Sequence, residues 1–161
     1  MTFNSIEFKY RTFLAQQGKL FTQERATILH FVLSRKDHFS TDELLFYMQK
    51  KGIDVSRATL YRNLKSLVDA QILVEVDFGH GHTHYECIAV RKPHDHLICH
   101  SCKIVIEVQN KSLQKVIQAM TNSQNFHLDH YQLQIYGLCK KCAEKENKIS
   151  KVATNPRQKK L

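Results

Sequence analysis

Two Cys-x-x-Cys turns lie 36 residues apart in the C-terminal half of the chain, Cys99-x-x-Cys102 and Cys139-x-x-Cys142. Each turn sets two thiolates on one side of a tight loop. Together they offer four soft ligands, the set that tetrahedral Zn²⁺ takes at about 2.3 Å per bond. Two disulfides or a thiol redox motif are the other readings of paired cysteines. A redox motif needs only one pair, and two pairs at this spacing suit a metal better. Four thiolates leave no open coordination position. The expected ion is therefore structural, one per chain, and staples the start of a subdomain to its end.

Histidine is the second chemical signal. The chain has ten, and five of them (His80, His82, His84, His94 and His96) fall within a short stretch. In Pro93-His94-Asp95-His96-Leu97 the alternation places His94 and His96 on one face of a strand, an arrangement that can chelate a metal. Glu86 lies upstream on an expected strand, Glu107 follows the first cysteine pair, and His38 precedes a helix start. A mixed imidazole and carboxylate set suits Fe²⁺, Mn²⁺ or Zn²⁺ without selecting among them. A lone histidine is ordinarily a solvated or hydrogen-bonded side chain. A His-x-His pair beside a cysteine knuckle reads instead as a ligand pair.

The third signal is Ser56-Arg57-Ala58-Thr59-Leu60-Tyr61-Arg62-Asn63. Small, basic and aromatic residues crowd the opening turns of one helix. Arg57 and Arg62 can make bidentate bonds to guanine or phosphate, and Thr59 and Tyr61 can meet a thymine methyl or donate to phosphate. An ordinary exposed helix face carries the same residue types, so the surrounding elements must decide.

Those elements favour DNA. Apolar periodicity predicts helices over 5–17, from Thr22 onward, from the capping box Ser40-Thr41-Asp42-Glu43 onward, and over 57–70. The period then changes to strand over 72–78, a turn at Gly79-His80-Gly81-His82, and a returning strand over 83–88. Helices followed by a hairpin give a winged helix-turn-helix, whose last helix enters the major groove. The second half reads as α+β: a strand over 103–108, an amphipathic helix carrying Leu113, Val116, Ile117 and Met120, and a strand over 131–138. The expected domains are residues 1–88 for DNA binding, a hinge at 89–93, a metal-binding and dimerisation unit at 94–142, and a basic disordered tail at 143–161.

Composition sets the outer bounds. A hydrophobic share of 42% over 161 residues supports one or two small cores. A net charge of +9 favours an anionic partner, although much of it sits in the tail. No apolar run is long enough to span a membrane and no basic-then-apolar leader opens the chain, so a cytoplasmic protein is expected. Cysteines at metal spacing fit that reducing compartment.

The assembled pattern resembles the ferric uptake regulator (Fur) family of metal-dependent transcription regulators. The resemblance is carried by Ser56 to Leu64, by His94-Asp95-His96-Leu97-Ile98-Cys99-His100-Ser101-Cys102, and by Ile135-Tyr136-Gly137-Leu138-Cys139-Lys140-Lys141-Cys142. It implies a homodimer with an N-terminal winged-helix domain and a small α/β dimerisation domain. It implies structural Zn²⁺ on Cys99, Cys102, Cys139 and Cys142, and a regulatory metal at the hinge on His38, Glu86, His94, His96 and Glu107. That metal is expected to be Fe²⁺, with Zn²⁺ or Mn²⁺ able to substitute. Lys19, Arg57, Thr59, Tyr61 and Arg62 are the expected contacts to a palindromic double-stranded operator. Neither a small-molecule substrate nor a membrane partner is implied.

The resemblance has departures. A third metal site of many members would need ligands where this chain has Pro93, Gln114 and Tyr131, and only Asp95 of that set remains, so the site is expected to be absent. The family's glycine after the first cysteine pair is Lys103. Cys87, His82 and His84 are rival ligands for the hinge site. Zinc-uptake and peroxide-stress regulation are the alternatives within the family. A zinc hydrolase or a zinc-ribbon interaction module are the alternatives outside it. The first lacks a His-Glu-x-x-His signature, and the second leaves Arg57 to Arg62 without a role.

Overall fold

The computed structural model describes residues 2–35, 37–79, 81–91 and 94–153, with side-chain surroundings through residue 146. The chain divides into two units, residues 1–92 and 93–161.

The first unit is a winged helix. Its order is α1 (Phe3–Gln16), α2 (Gln23–Ser34), β1 (Phe39–Ser40), α3 (Thr41–Lys50), α4 (Arg57–Asp69), β2 (Leu73–Val76) and β3 (His84–Cys87). Each helix start is fixed by a hydroxyl that accepts an orphan backbone N–H: Thr2, Thr22, Ser40 and Ser56. Helix α1 begins at residue 3 rather than 5 because Thr2 is its cap. Ser40 and Glu43 form the expected reciprocal capping box. Helix α4 turns Leu60, Leu64 and Leu67 into the core, where truncating any one of them to Ala would cost about 2–5 kcal/mol. That burial leaves the opposite face of α4 available.

The small sheet runs β1-β3-β2, antiparallel throughout. The two-residue strand β1, which the sequence reading lacks, pairs Phe39 with Tyr85. The hairpin strands are shorter than expected, covering 73–76 and 84–87. Gly79 and Gly81 take φ of 71° and 78° in the turn between them, a region that favours glycine. His80 lies outside the described residues, as do Lys92 and Pro93 of the expected hinge.

The second unit contains β4 (Asp95–Cys99), β5 (Val105–Val108), α5 (Lys111–Ser123), β6 (Gln134–Gly137) and α6 (Lys140–Ala153). Its sheet order is β5-β4-β6, with β4–β5 antiparallel and β4–β6 parallel. Helix α5 has the expected apolar stripe, yet Val116 and Met120 remain exposed, as do Ile106, Ile135 and Tyr136 on the sheet. Helix α6 corrects the expected disordered tail from residue 143. The segment Lys140 to Lys148 is rich in Lys, Glu and Ala, strong helix formers even where apolar periodicity is weak. Residues 154–161 lie outside the described residues. Among the described residues, no helix is long and apolar enough to cross a membrane.

Candidate metal centre and nucleic-acid face

The four knuckle cysteines come from two strand ends of one sheet. Cys99 closes β4, and Cys139 follows β6 and precedes the first turn of α6, which holds Cys142. The backbone ties the two loops together: His100 N–H donates to Gly137 O at 2.9 Å and Lys103 N–H to Cys99 O at 2.9 Å. Cys139 N–H donates to Cys99 Sγ at 3.3 Å. All four sulfurs lie within 4.8 Å of one another, and Cys102 and Cys139 Sγ are 3.7 Å apart. Metal–sulfur bonds of about 2.3 Å in a tetrahedron require S···S edges of about 3.8 Å, so this donor set fits a tetrahedral ion. Backbone N–H bonds from Cys102 and Cys139 pull the Cys99 thiol down to about 6. Ser101 favours the Cys142 thiolate, but the Cys139 sulfur and burial oppose it and push that thiol up to about 11.

The remaining expected metal ligands fall in two groups. Within the first unit, His38 Nε2 stands 3.3 Å from Glu86 Oε2, with Arg91 3.7 Å from the other carboxylate oxygen. Strand alternation fixes which side of β3 does this. Tyr85 and Cys87 enter the core, while Glu86 faces His38. Cys87 is therefore turned away from His38, and burial raises its thiol pKa; it loses its standing as a rival ligand. Within the second unit, the His94 and His96 rings are 4.9 Å apart between centroids. His96 is paired with Glu107 across the sheet, and His94 Nε2 lies 3.9 Å from Glu107 Oε2. Both histidines are buried.

Asp95, between them, is also buried. Burial and the Asp95 charge raise the pKa of the Tyr131 hydroxyl, which Gln114 opposes. A phenol is thus the neighbour of this carboxylate, and an amide the neighbour of the phenol, groups that are poor donors to a transition metal.

On the first unit, Tyr61 projects from α4 and is half exposed. Arg62 donates to Thr59 Oγ1 at 3.2 Å, and Thr59 also receives the Ser56 hydroxyl at 3.0 Å. Arg57 forms a 2.8 Å ion pair with Asp42 from the first turn of α3. The sequence reading missed Asp42. Its signal was the acidic first turn of α3, which the helix-turn-helix brings up to the start of α4. An open cavity of about 540 Å³ is lined by Asp42, Arg57, Tyr61, His82, Thr83 and Tyr85, so α3, α4 and the wing share one concave face. Lys19 stands apart, in the α1–α2 connection, where its ammonium donates to Gln17 at 2.7 Å.

The ferric uptake regulator family profile matches residues 16–136. The chain belongs to the ferric uptake regulator family. The Fur-family match extends to individual relatives. The ferric uptake regulation protein of Synechococcus elongatus is 32% identical over 144 residues, 88% of this chain and 97% of that protein. The peroxide operon regulator of Bacillus subtilis is 27% identical over 134 residues, 83% and 91% of the two chains. The structure of the ferric uptake regulator from Pseudomonas aeruginosa with manganese superposes with a TM-score of 0.69 at 29% identity, covering 79% of this chain and 95% of that one.

As a Fur-family member the chain is a metal-responsive, DNA-binding transcription regulator and not an enzyme, which removes the hydrolase and bare zinc-ribbon readings. The departure at Lys103 is now explained: its φ is 63°. The chain keeps the left-handed turn of a glycine there and bears the steric cost with a lysine.

Proposed function

We propose that this chain is a homodimeric repressor that binds a palindromic operator when Fe²⁺ joins its two units. His38 and Glu86 would supply one part of the coordination sphere, and His94, His96 and Glu107 the other. The observation that carries this reading is that His38 and Glu86 stand together in one unit and His94, His96 and Glu107 in the other. Two or three ligands bind a divalent ion weakly, and five bind it well. An ion that demands both sets selects the arrangement of the units in which they meet, and so shifts the population toward it. If that arrangement is the one in which two α4 helices match successive major grooves, metal controls DNA affinity.

Zn²⁺ on Cys99, Cys102, Cys139 and Cys142 would be permanent and would hold the dimerising unit in shape. The exposed apolar residues of α5 and its sheet support burial against a second copy. Arg57, Thr59, Tyr61 and Arg62 would read the operator, with Lys19 adding a phosphate contact from outside the recognition helix. The carboxylates Glu86 and Glu107 favour Fe²⁺ over a thiolate-seeking zinc sensor, because Cys87 points into the core.

A peroxide-responsive regulator is the second reading, favoured by the match to the Bacillus subtilis protein. One experiment separates them. The purified dimer, its knuckle zinc retained, is titrated against an operator duplex with Fe²⁺, Mn²⁺ and Zn²⁺ in turn, then exposed to dilute peroxide. Iron regulation gives Fe²⁺-dependent binding that returns when fresh Fe²⁺ follows peroxide. Irreversible loss only in the Fe²⁺ form points to peroxide sensing. Binding indifferent to every metal overturns both.

A further inference from the structure

The wing carries a second His-x-His pair that the regulatory reading does not use. The rings of His82 and His84 are 4.6 Å apart between centroids, closer than the 4.9 Å of His94 and His96 at the same spacing. Phe78 packs on His84 at 5.2 Å and edge-on against His38 at 4.9 Å. Phe78 thus touches both the wing pair and His38. His82 is exposed and borders the cavity that Arg57 and Tyr61 also line.

Two imidazoles at this separation can bring one nitrogen each to a single ion. Neutral nitrogen ligands suit late first-row divalent metals, for which affinity rises toward Ni²⁺ and Cu²⁺. Two protein ligands leave several coordination positions open, unlike the closed thiolate knuckle. An ion held there would stand beside His82 at the border of the concave face, where an approaching duplex presents phosphate oxygens.

We propose that His82 and His84 form a distinct, exchangeable site for a late first-row divalent ion on the wing, whose open positions accept a phosphate oxygen of the DNA backbone. The ion site stands on the wing geometry alone. The phosphate bridge rests on the DNA-binding role of α4 proposed above. Chemically the bridge is ligand exchange: a water leaves the ion and a phosphate oxygen takes its place, with no change of oxidation state.

The test uses Ni²⁺ as the probe and the full-length, zinc-loaded protein carrying His96→Ala to weaken the hinge site. Ni²⁺ uptake is measured by equilibrium dialysis, and imidazole resonances are followed by NMR. The expected result is Ni²⁺ binding that broadens the His82 and His84 signals. Adding His82→Ala, at an exposed position, abolishes the His84 broadening and lowers the uptake. Broadening at His38 and His94 instead, or broadening of His84 that survives His82→Ala, overturns the site.

The bridge is read in the protein with an intact hinge, at saturating Ni²⁺. Losing one phosphate contact makes the salt dependence of operator binding shallower by about 0.9 in log–log slope. His82→Ala is expected to show that change, and an unchanged slope overturns the bridge. A protein that binds Ni²⁺ at His82 but no operator under any metal overturns the DNA reading and the bridge together, while the ion site stands.

Discussion

The cysteine knuckle and the imidazole–carboxylate ligands are built on opposite plans. All four sulfurs belong to one unit and gather at two strand ends bound by backbone hydrogen bonds. The His38–Glu86 pair belongs to one unit, and His94, His96 and Glu107 to the other. A site complete within one folding unit adds its binding free energy to the stability of that unit. A site that needs two units adds it to one arrangement of them, which is the requirement for a switch. The difference lies in where the ligands sit in the chain, and under the proposed function ligand chemistry would follow: closed thiolates for permanence, mixed nitrogen and oxygen for exchange.

The sharpest way to break this comparison is to remove a sulfur. Cys99→Ser should lose the zinc, and with it the folded second unit and the dimer. The apparent binding free energy of such sites, about 10–16 kcal/mol, is coupled to folding. Metal content and sedimentation measure this directly; a Cys99→Ser protein that keeps both zinc and dimer would refute the structural role. Cys142 enters the metal-free knuckle as a thiol, with its pKa pushed up to about 11. Zinc binding near neutral pH must expel that proton, so affinity should fall as pH is lowered.

The next effect tests the other plan. His96→Ala should keep zinc, fold and dimer yet lose metal-stimulated operator binding. His38→Ala should lose it as well while retaining partial metal binding, because His94, His96 and Glu107 remain together. Undiminished stimulation in His96→Ala would mean that the two donor sets do not share an ion.

Much of this contrast was readable in the chain. The Cys-x-x-Cys spacing, the His-x-His alternation and the Ser56-to-Asn63 cluster are local patterns, and local patterns survive in sequence. What was hidden depended on pairing across distance. Strand β1 has two residues, too few for periodicity, and exists because Phe39 meets Tyr85. The inward turn of Cys87 is set by the register of β3 against its neighbours. Helix α6 was missed because charged residues with good helix propensity look like a solvated tail. The Arg57–Asp42 pair joins residues 15 apart, through a turn whose geometry the sequence does not print.

That pair gives a smaller effect. Arg62→Ala should weaken operator binding by about 1–3 kcal/mol if it reads a base, or reduce the salt slope by about 1 if it holds a phosphate. Asp42→Asn removes only a surface ion pair, worth about 0–1 kcal/mol. It should leave stability almost unchanged while freeing Arg57 and removing a negative charge from the concave face, so operator binding should tighten slightly at low salt. Weaker binding would show instead that Asp42 holds Arg57 in its reading position.

The smallest effect returns to the knuckle. Lys103 occupies the left-handed region at φ 63°, a conformation that costs an L-residue about 1–2 kcal/mol. Glycine removes that strain but loses about 0.5–1 kcal/mol through greater freedom in the unfolded chain. Lys103→Gly should therefore stabilise the zinc-loaded unit by no more than about 1 kcal/mol, whereas Lys103→Val, β-branched at positive φ, should destabilise it. Urea unfolding of the two variants beside the parent measures the difference. Operator switching should be untouched in Lys103→Gly, because the strain sits at the cysteine knuckle. Equal stability in both variants would show that the turn relaxes freely and that the lysine costs the knuckle nothing.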